Sequence, residues 1–188
     1  MVYTNTLTER KGVISLIRAW PGVQARCPEA ELHLYGKDTT TRNGQSMREV
    51  LQSLLTPDLR VTFHGHVPRA ELDSALASAR VCVLPSIGEA FGLAPVDAMA
   101  SGCPTIFSSR CAGPEIIENG RSGLLIDPDR PSEIRDAILK VLLDDDAAAK
   151  YAEEGWKRAR NLFSVEALLP QLESYYQQCV ETFPGARA

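Results

Sequence analysis

The stretch Val81-Cys82-Val83-Leu84-Pro85-Ser86-Ile87-Gly88-Glu89-Ala90-Phe91-Gly92-Leu93-Ala94-Pro95-Val96-Asp97-Ala98-Met99-Ala100-Ser101-Gly102-Cys103-Pro104-Thr105-Ile106-Phe107 reads as strand, loop, helix and strand in succession. Val81 to Leu84 is a continuous apolar run, the pattern of a strand buried on both faces. A loop follows, and Pro95 suits the first turn of a helix, where its missing N–H sacrifices no hydrogen bond. The same alternation extends outward, with further short apolar runs at Val2 to Thr4, Leu32 to Tyr35, Val61 to His64 and Leu124 to Ile126. Between them Val13, Leu16, Ile17 and Trp20 fall at i, i+3, i+4 and i+7, as do Met47, Val50, Leu51 and Leu54, while Leu72, Ala75, Leu76 and Ala79 repeat the pattern. Strands alternating with helices in this way predict a doubly wound α/β domain with a mostly parallel six-stranded sheet.

After Ile126 the pattern becomes helical only. Ile134, Ala137, Ile138, Val141 and Leu142 mark one helix, and Ala147 to Leu162 and Val165 to Val180 mark two more. We therefore divide the chain into a domain at 1–163 and a C-terminal helix and tail at 164–188. The last helix carries Leu169, Leu172, Tyr176 and Cys179 on one stripe, which must lie on something apolar, either this domain or a partner domain. Met1 is followed at once by the first strand, and a doubly wound domain often shares its ligand crevice with a second domain, so the chain reads as half of a larger protein.

The 188 residues are 44% hydrophobic and 23% charged, with 20 Lys and Arg against 24 Asp and Glu. No long basic run stands out from this balance, which argues against a nucleic-acid or polybasic membrane surface. No apolar stretch approaches the roughly 18 residues of a membrane span, and the N-terminus lacks a signal pattern, so the reading is a cytoplasmic protein. Five cysteines at wide spacings without C-x-x-C read as reduced thiols rather than as a disulfide framework or a metal site. The pair His64-Gly65-His66 has no acidic partner spaced beside it, and no metal is expected.

No G-x-G occurs, which removes the dinucleotide fingerprint, and G-x-x-x-x-G-K-[ST] is absent too. Attention falls on the loop after Leu84. There the N–H groups of Gly92 and Leu93 open a helix N-terminus, which carries about half a positive charge and is a ready anion site. Glu89 lies just before it and Asp97 within the first turns of the same helix.

Glu89-Ala90-Phe91-Gly92-Leu93 with Asp97-Ala98-Met99-Ala100-Ser101-Gly102-Cys103-Pro104 resembles the E-x7-E signature of retaining glycosyltransferases of GT-B architecture, family 4 above all. Arg10-Lys11-Gly12 is similar to the family's K-G at a helix start, Phe63-His64-Gly65-His66-Val67-Pro68 to its F-x-G-x-V-P, and Gly113 to Leu125 to its G-x-x-E-x-x-x-x-G-x-x-G-L-L run. The resemblance covers nearly the whole chain but only the C-terminal, donor-binding half of that fold, which is Rossmann-like. It implies transfer of a sugar from a nucleoside diphosphate sugar (UDP-, GDP- or ADP-linked) to an acceptor hydroxyl, without metal or cofactor. It further implies that the missing N-terminal domain carries the acceptor site, that this chain alone is inactive, and that the full-length enzyme sits peripheral to the membrane.

Residue by residue, the resemblance places Lys11 on the donor diphosphate with Arg10 beside it. Gly92 and Leu93 would offer N–H groups to phosphate and sugar, and Phe91 would place the loop. Glu89 would stand as the catalytic carboxylate near the transferred sugar, and His66 and Val67 would meet the nucleobase through their backbone. Asp97 departs from the family's usual Glu, which accepts from the ribose, and reaches one methylene less far. Thr6 stands where the family often has an arginine, so one phosphate cation is lost. Asp127-Pro128-Asp129 mimics a D-x-D metal motif but falls at a proline-rich turn. Two other readings stay open: a sugar-nucleotide epimerase on the same architecture, and a non-enzymatic nucleotide-binding or interaction module, which an exposed apolar stripe on the last helix would favour.

Overall fold

The structure, a computed structural model, describes residues 1–182. Six strands, β1 (Val2–Thr4), β2 (Leu32–Tyr35), β3 (Val61–Gly65), β4 (Cys82–Leu84), β5 (Thr105–Ser108) and β6 (Leu124–Ile126), form one sheet in the order β3-β2-β1-β4-β5-β6. Every neighbouring pair is parallel, so the sheet is wholly rather than mostly parallel. β1, β4 and β5 are buried along their whole length because helices cover both faces, whereas edge strand β3 alternates half-buried and exposed residues.

The chain winds outward from β1 through β2 to β3, returns, and winds outward again from β4 to β6. Right-handed crossovers then place the helices of the two runs on opposite faces. The order reverses between β1 and β4, and sheets of this kind hold ligands in a crevice at the carboxyl ends of the strands at that point.

Helix α1 (Val13–Gln24) buries the expected stripe of Val13, Leu16, Ile17 and Trp20 and packs on α6 (Pro131–Leu143). The Trp20 indole N–H donates to Gln24 Oε1 at 3.1 Å, which satisfies the one polar atom of a fully buried ring. Helix α2 (Met47–Ser53) ends one residue before Leu54, so the last member of its predicted stripe is exposed. Helix α3 (Arg69–Ser78) buries only Leu76, and α4 (Leu93–Ala100) packs on α7 (Asp145–Phe163), which Asp144 caps by accepting the Ala147 N–H at 2.9 Å. A short helix, α5 (Gly113–Ile116), is held to α7 by Arg158, whose guanidinium donates to the carbonyls of Glu115 at 2.8 Å and Ile116 at 2.7 Å.

Helix α8 (Val165–Thr182) has no buried residue. Leu169, Leu172 and Tyr176 of the predicted stripe are exposed, and Phe163, Val165, Leu168, Leu169, Leu172 and Tyr175 line an open apolar groove of about 540 Å³. Of the segment set apart at 164–188, residues 183–188 lie outside the described residues. All five cysteines are free thiols; burial pushes the Cys82 thiol well up and that of Cys103 up to about 12, so both are inert inside the core. No helix among the described residues is long and apolar enough to cross a membrane.

Candidate functional site

The loops that leave β1 and β4 are joined backbone to backbone. After β1, Thr8 caps a single 3-10 turn, Glu9–Lys11, its hydroxyl accepting the Lys11 N–H at 3.3 Å. Gly12 ends the turn in the left-handed region at φ +70°, and a Cβ there would lie 1.7 Å from the carbonyl oxygen of Pro85 in the β4 loop. Glycine is required on both counts. The contact lets Ile87 and Gly88 donate their N–H groups to the Arg10 carbonyl at 2.8 and 3.3 Å. Arg10 thus contributes its main chain to the seam, and its stem lies against Gly88.

Across this seam the Lys11 ammonium donates to Glu89 Oε2. Their side chains are only 14% and 16% exposed, so two residues 78 apart in sequence form a shielded ion pair at the point where strand order reverses. In the same β4 loop Ser86 is buried with a hydroxyl that has no partner.

Gly92 follows Glu89 at φ +93° as the cap of α4, and its missing Cβ avoids Ile116 Cδ1, which would lie 2.6 Å away. The helix therefore starts with its first N–H groups unsatisfied by helical bonds, as every helix does, and its positive end lies close in sequence to Glu89. Phe91 and Leu93 are 49% and 69% exposed, so neither is a core residue. Phe91 meets the last residue of α7 instead, edge to face with Phe163 at 6.2 Å between centroids.

On the other side of the crevice His66 and Val67 line a cavity of about 240 Å³ together with Asn5, Thr6, Tyr35 and Lys37. Thr6 offers no cation on this wall, but Lys37 from the β2 loop does. Gly65 turns the chain at φ +75° between the two histidines of His64-Gly65-His66. His64 consequently points elsewhere: it stacks on Tyr35 at 4.2 Å and shares a hydrogen bond with His33 at 3.0 Å. Burial first, and the neighbouring His33 second, lower its pKa. Among the described residues no group of three His, Cys, Asp or Glu side chains converges as metal ligands. Asp127 and Asp129 both accept from Arg110 Nη2, at 2.9 and 2.5 Å, so their turn is closed by a guanidinium.

Asp97 is engaged by a residue the sequence did not single out. Arg69, the first residue of α3, forks onto it with Nη1 to Oδ2 at 3.0 Å and Nη2 to Oδ1 at 3.2 Å, while its Nε donates to Asp73 at 2.7 Å. The bond to Asp97 holds the guanidinium pKa above its ordinary value. Arg69 directly follows His66-Val67-Pro68, but its distance from Asp97 along the chain hides a proximity that arises only in the folded chain, where the first residue of α3 comes within hydrogen-bonding reach of α4. The structure thus brings Lys11, Arg10 and Glu89 together, sets Gly92 and Leu93 at the adjoining helix end, and leaves Asp97 and His66-Val67 linked through Arg69. A cation and a helix N-terminus beside a carboxylate can hold a multiply charged anion and present a second charge to whatever that anion carries.

The family model described as glycosyl transferases group 1 matches residues 1–144. The D-inositol 3-phosphate glycosyltransferase of Corynebacterium glutamicum is 29% identical over 96% of this chain, and the chain spans 43% of that relative's length. Among solved structures, sucrose-phosphate synthase from Thermosynechococcus elongatus superposes with a TM-score of 0.81 at 29% identity, covering 97% of this chain and 45% of that one. Anabaena HepE in complex with UDP and glucose superposes at 0.79 and 25% identity, covering 94% of this chain and 48% of its own.

Proposed function

Because the chain belongs to the glycosyl transferases group 1 family, we propose that it is the donor-binding half of a retaining, metal-independent glycosyltransferase that moves a sugar from a nucleoside diphosphate to an acceptor hydroxyl. The observation that carries this reading is the shielded Lys11–Glu89 pair between the β1 and β4 loops, beside the N-terminus of α4. A diphosphate entering there takes Lys11 from Glu89. The ammonium and the α4 N–H groups then meet the charge that grows on the departing diphosphate as the glycosidic bond breaks, which is where electrostatic catalysis is most effective. Glu89, released, faces the sugar and stabilises positive character at the anomeric carbon. Asp97 accepts from the ribose, the His66-Val67 backbone meets the base, and Phe91, braced on Phe163, holds the loop that carries Glu89.

HepE, which holds UDP, supports a uridine donor over GDP- or ADP-sugars. The acceptor site belongs to a domain outside this chain, so the 188 residues alone bind donor nucleotide and transfer nothing. A cytoplasmic location, peripheral to the membrane in the intact enzyme, completes the proposal; the five free thiols suit a reducing compartment. One observation favours a second reading, a module that docks through its last helix: the stripe of α8 is exposed.

Thermal-shift titration of the chain with UDP, GDP and ADP, with and without chelator, separates the two. A donor domain is stabilised selectively by one of them, by about 2.7 kcal/mol at a hundredfold excess over Kd. That stabilisation is indifferent to chelator and lost in Lys11→Ala. Absence of any shift supports the docking module instead.

A further inference from the structure

The Arg69–Asp97 fork joins the segment that lines the base-side cavity to the helix that carries the Glu89 loop. Arg69 is 62% and Asp97 36% exposed, so the pair contributes little to holding the fold and leaves the carboxylate open to a ligand. A forked guanidinium takes one lone pair from each carboxylate oxygen and fixes the plane of the group. Each oxygen keeps a second acceptor site, and two such sites side by side match a vicinal diol. Asp73, bonded to the Arg69 Nε at 2.7 Å, holds the guanidinium at its flank. An aspartate is short for reaching a ribose from α4, and a carboxylate free to rotate would lose much of its bonding to disorder of the side chain.

We propose that Arg69 is a positioning residue for ribose recognition: it locks the Asp97 carboxylate so that its two remaining acceptor sites face the 2′- and 3′-hydroxyls of the nucleotide. This rests on the donor-binding reading given above. Arg69 touches neither phosphate nor sugar, and it acts only through Asp97. Because it directly follows His66-Val67-Pro68, the same contact ties ribose placement to base placement.

The test uses the complete 188-residue chain and calorimetric titration with whichever of UDP, GDP or ADP binds most tightly. The 2′,3′-dideoxy form of that nucleotide and inorganic pyrophosphate serve as the other probes. Wild-type protein is expected to prefer the ribonucleotide to its dideoxy form by about tenfold. Arg69→Ala is expected to reduce that preference to less than about twofold while leaving pyrophosphate affinity and melting temperature nearly unchanged. Arg69→Lys, which keeps the charge but not the fork, should recover less than half of the preference on a logarithmic scale, and it serves equally if the alanine variant folds poorly. A preference that survives in both variants overturns the inference and leaves donor binding intact, as does a wild-type protein that binds both nucleotides equally. Failure of the wild type to bind any of the three nucleotides overturns the donor reading itself and this inference with it.

Discussion

Two ion pairs span the crevice, and they are built in opposite ways. Lys11–Glu89 is shielded from water and lies on a seam of backbone hydrogen bonds that only a glycine permits; Arg69–Asp97 stands largely in solvent between the start of α3 and the middle of α4. Exposed pairs of the second kind contribute roughly 0–1 kcal/mol to stability, because water screens them and long side chains lose entropy in holding one geometry. A shielded pair is different, since removing one partner strands the other charge in a poorly solvated place. The inner pair is therefore part of the architecture and must be opened by its ligand, while the outer pair is an adjustable contact that a ligand can use as it stands.

The largest effect expected to break this contrast lies in the backbone beneath the inner pair. Gly12→Ala must fit a Cβ 1.7 Å from the Pro85 oxygen at φ +70°, so the β1 and β4 loops have to separate. Combining the left-handed strain with overpacking, the cost is about 3 kcal/mol or more. Gly65→Ala, at φ +75° with nothing within 4 Å of the new Cβ, is the control and should cost only about 1 kcal/mol. Urea unfolding of the two variants checks this, and equal losses would mean that the seam does not hold the inner pair in place.

How much of this was legible in the sequence follows from the same contrast. The six strands and the α1 stripe were readable because apolar runs and helical period are local signals, and so was α4, with Pro95 in its first turn. Lys11 and Glu89 were singled out by resemblance, but that they pair was not legible: their meeting depends on β1 and β4 being neighbours, which strand order decides. Arg69 escaped for a related reason. Nothing in residues 66–69 announces α4, and Arg69 comes within reach of Asp97 only once the strands between them are in place in the sheet. The α8 stripe was legible as a stripe, yet its surroundings were not, since periodicity records that a face is apolar without saying what covers it.

A smaller effect tests whether the inner pair is a gate as well as a support. Glu89→Gln removes the charge that competes with an incoming diphosphate for Lys11 while keeping the shape of the side chain. Two opposite outcomes are expected from one substitution. Stability should fall by about 1.5–3 kcal/mol, the usual worth of a hydrogen bond between charged groups, while affinity for the preferred nucleoside diphosphate should rise about fivefold, equivalent to about 1 kcal/mol of competition removed. Calorimetry and urea unfolding on the same samples check both. A fall in affinity alongside the fall in stability would show that Glu89 holds Lys11 in its binding position rather than competing for it, and the gate would be lost.

The smallest effect concerns the outer pair and is the sharpest test of the difference. Arg69→Ala should destabilise the chain by less than about 1 kcal/mol at low ionic strength. That deficit should vanish in 1 M salt, where the screening length falls to about 3 Å and an exposed pair loses most of its attraction. The Glu89→Gln deficit should persist in the same salt, because ions reach the shielded pair poorly. Urea unfolding of wild type and both variants at low and high salt measures the two responses together. If both deficits persist, Arg69 is as structural as Lys11, and the outer contact is a clamp of the fold rather than a surface free to serve a ligand. If both disappear, Lys11 and Glu89 are open to solvent in solution, and a diphosphate would reach Lys11 without displacing anything.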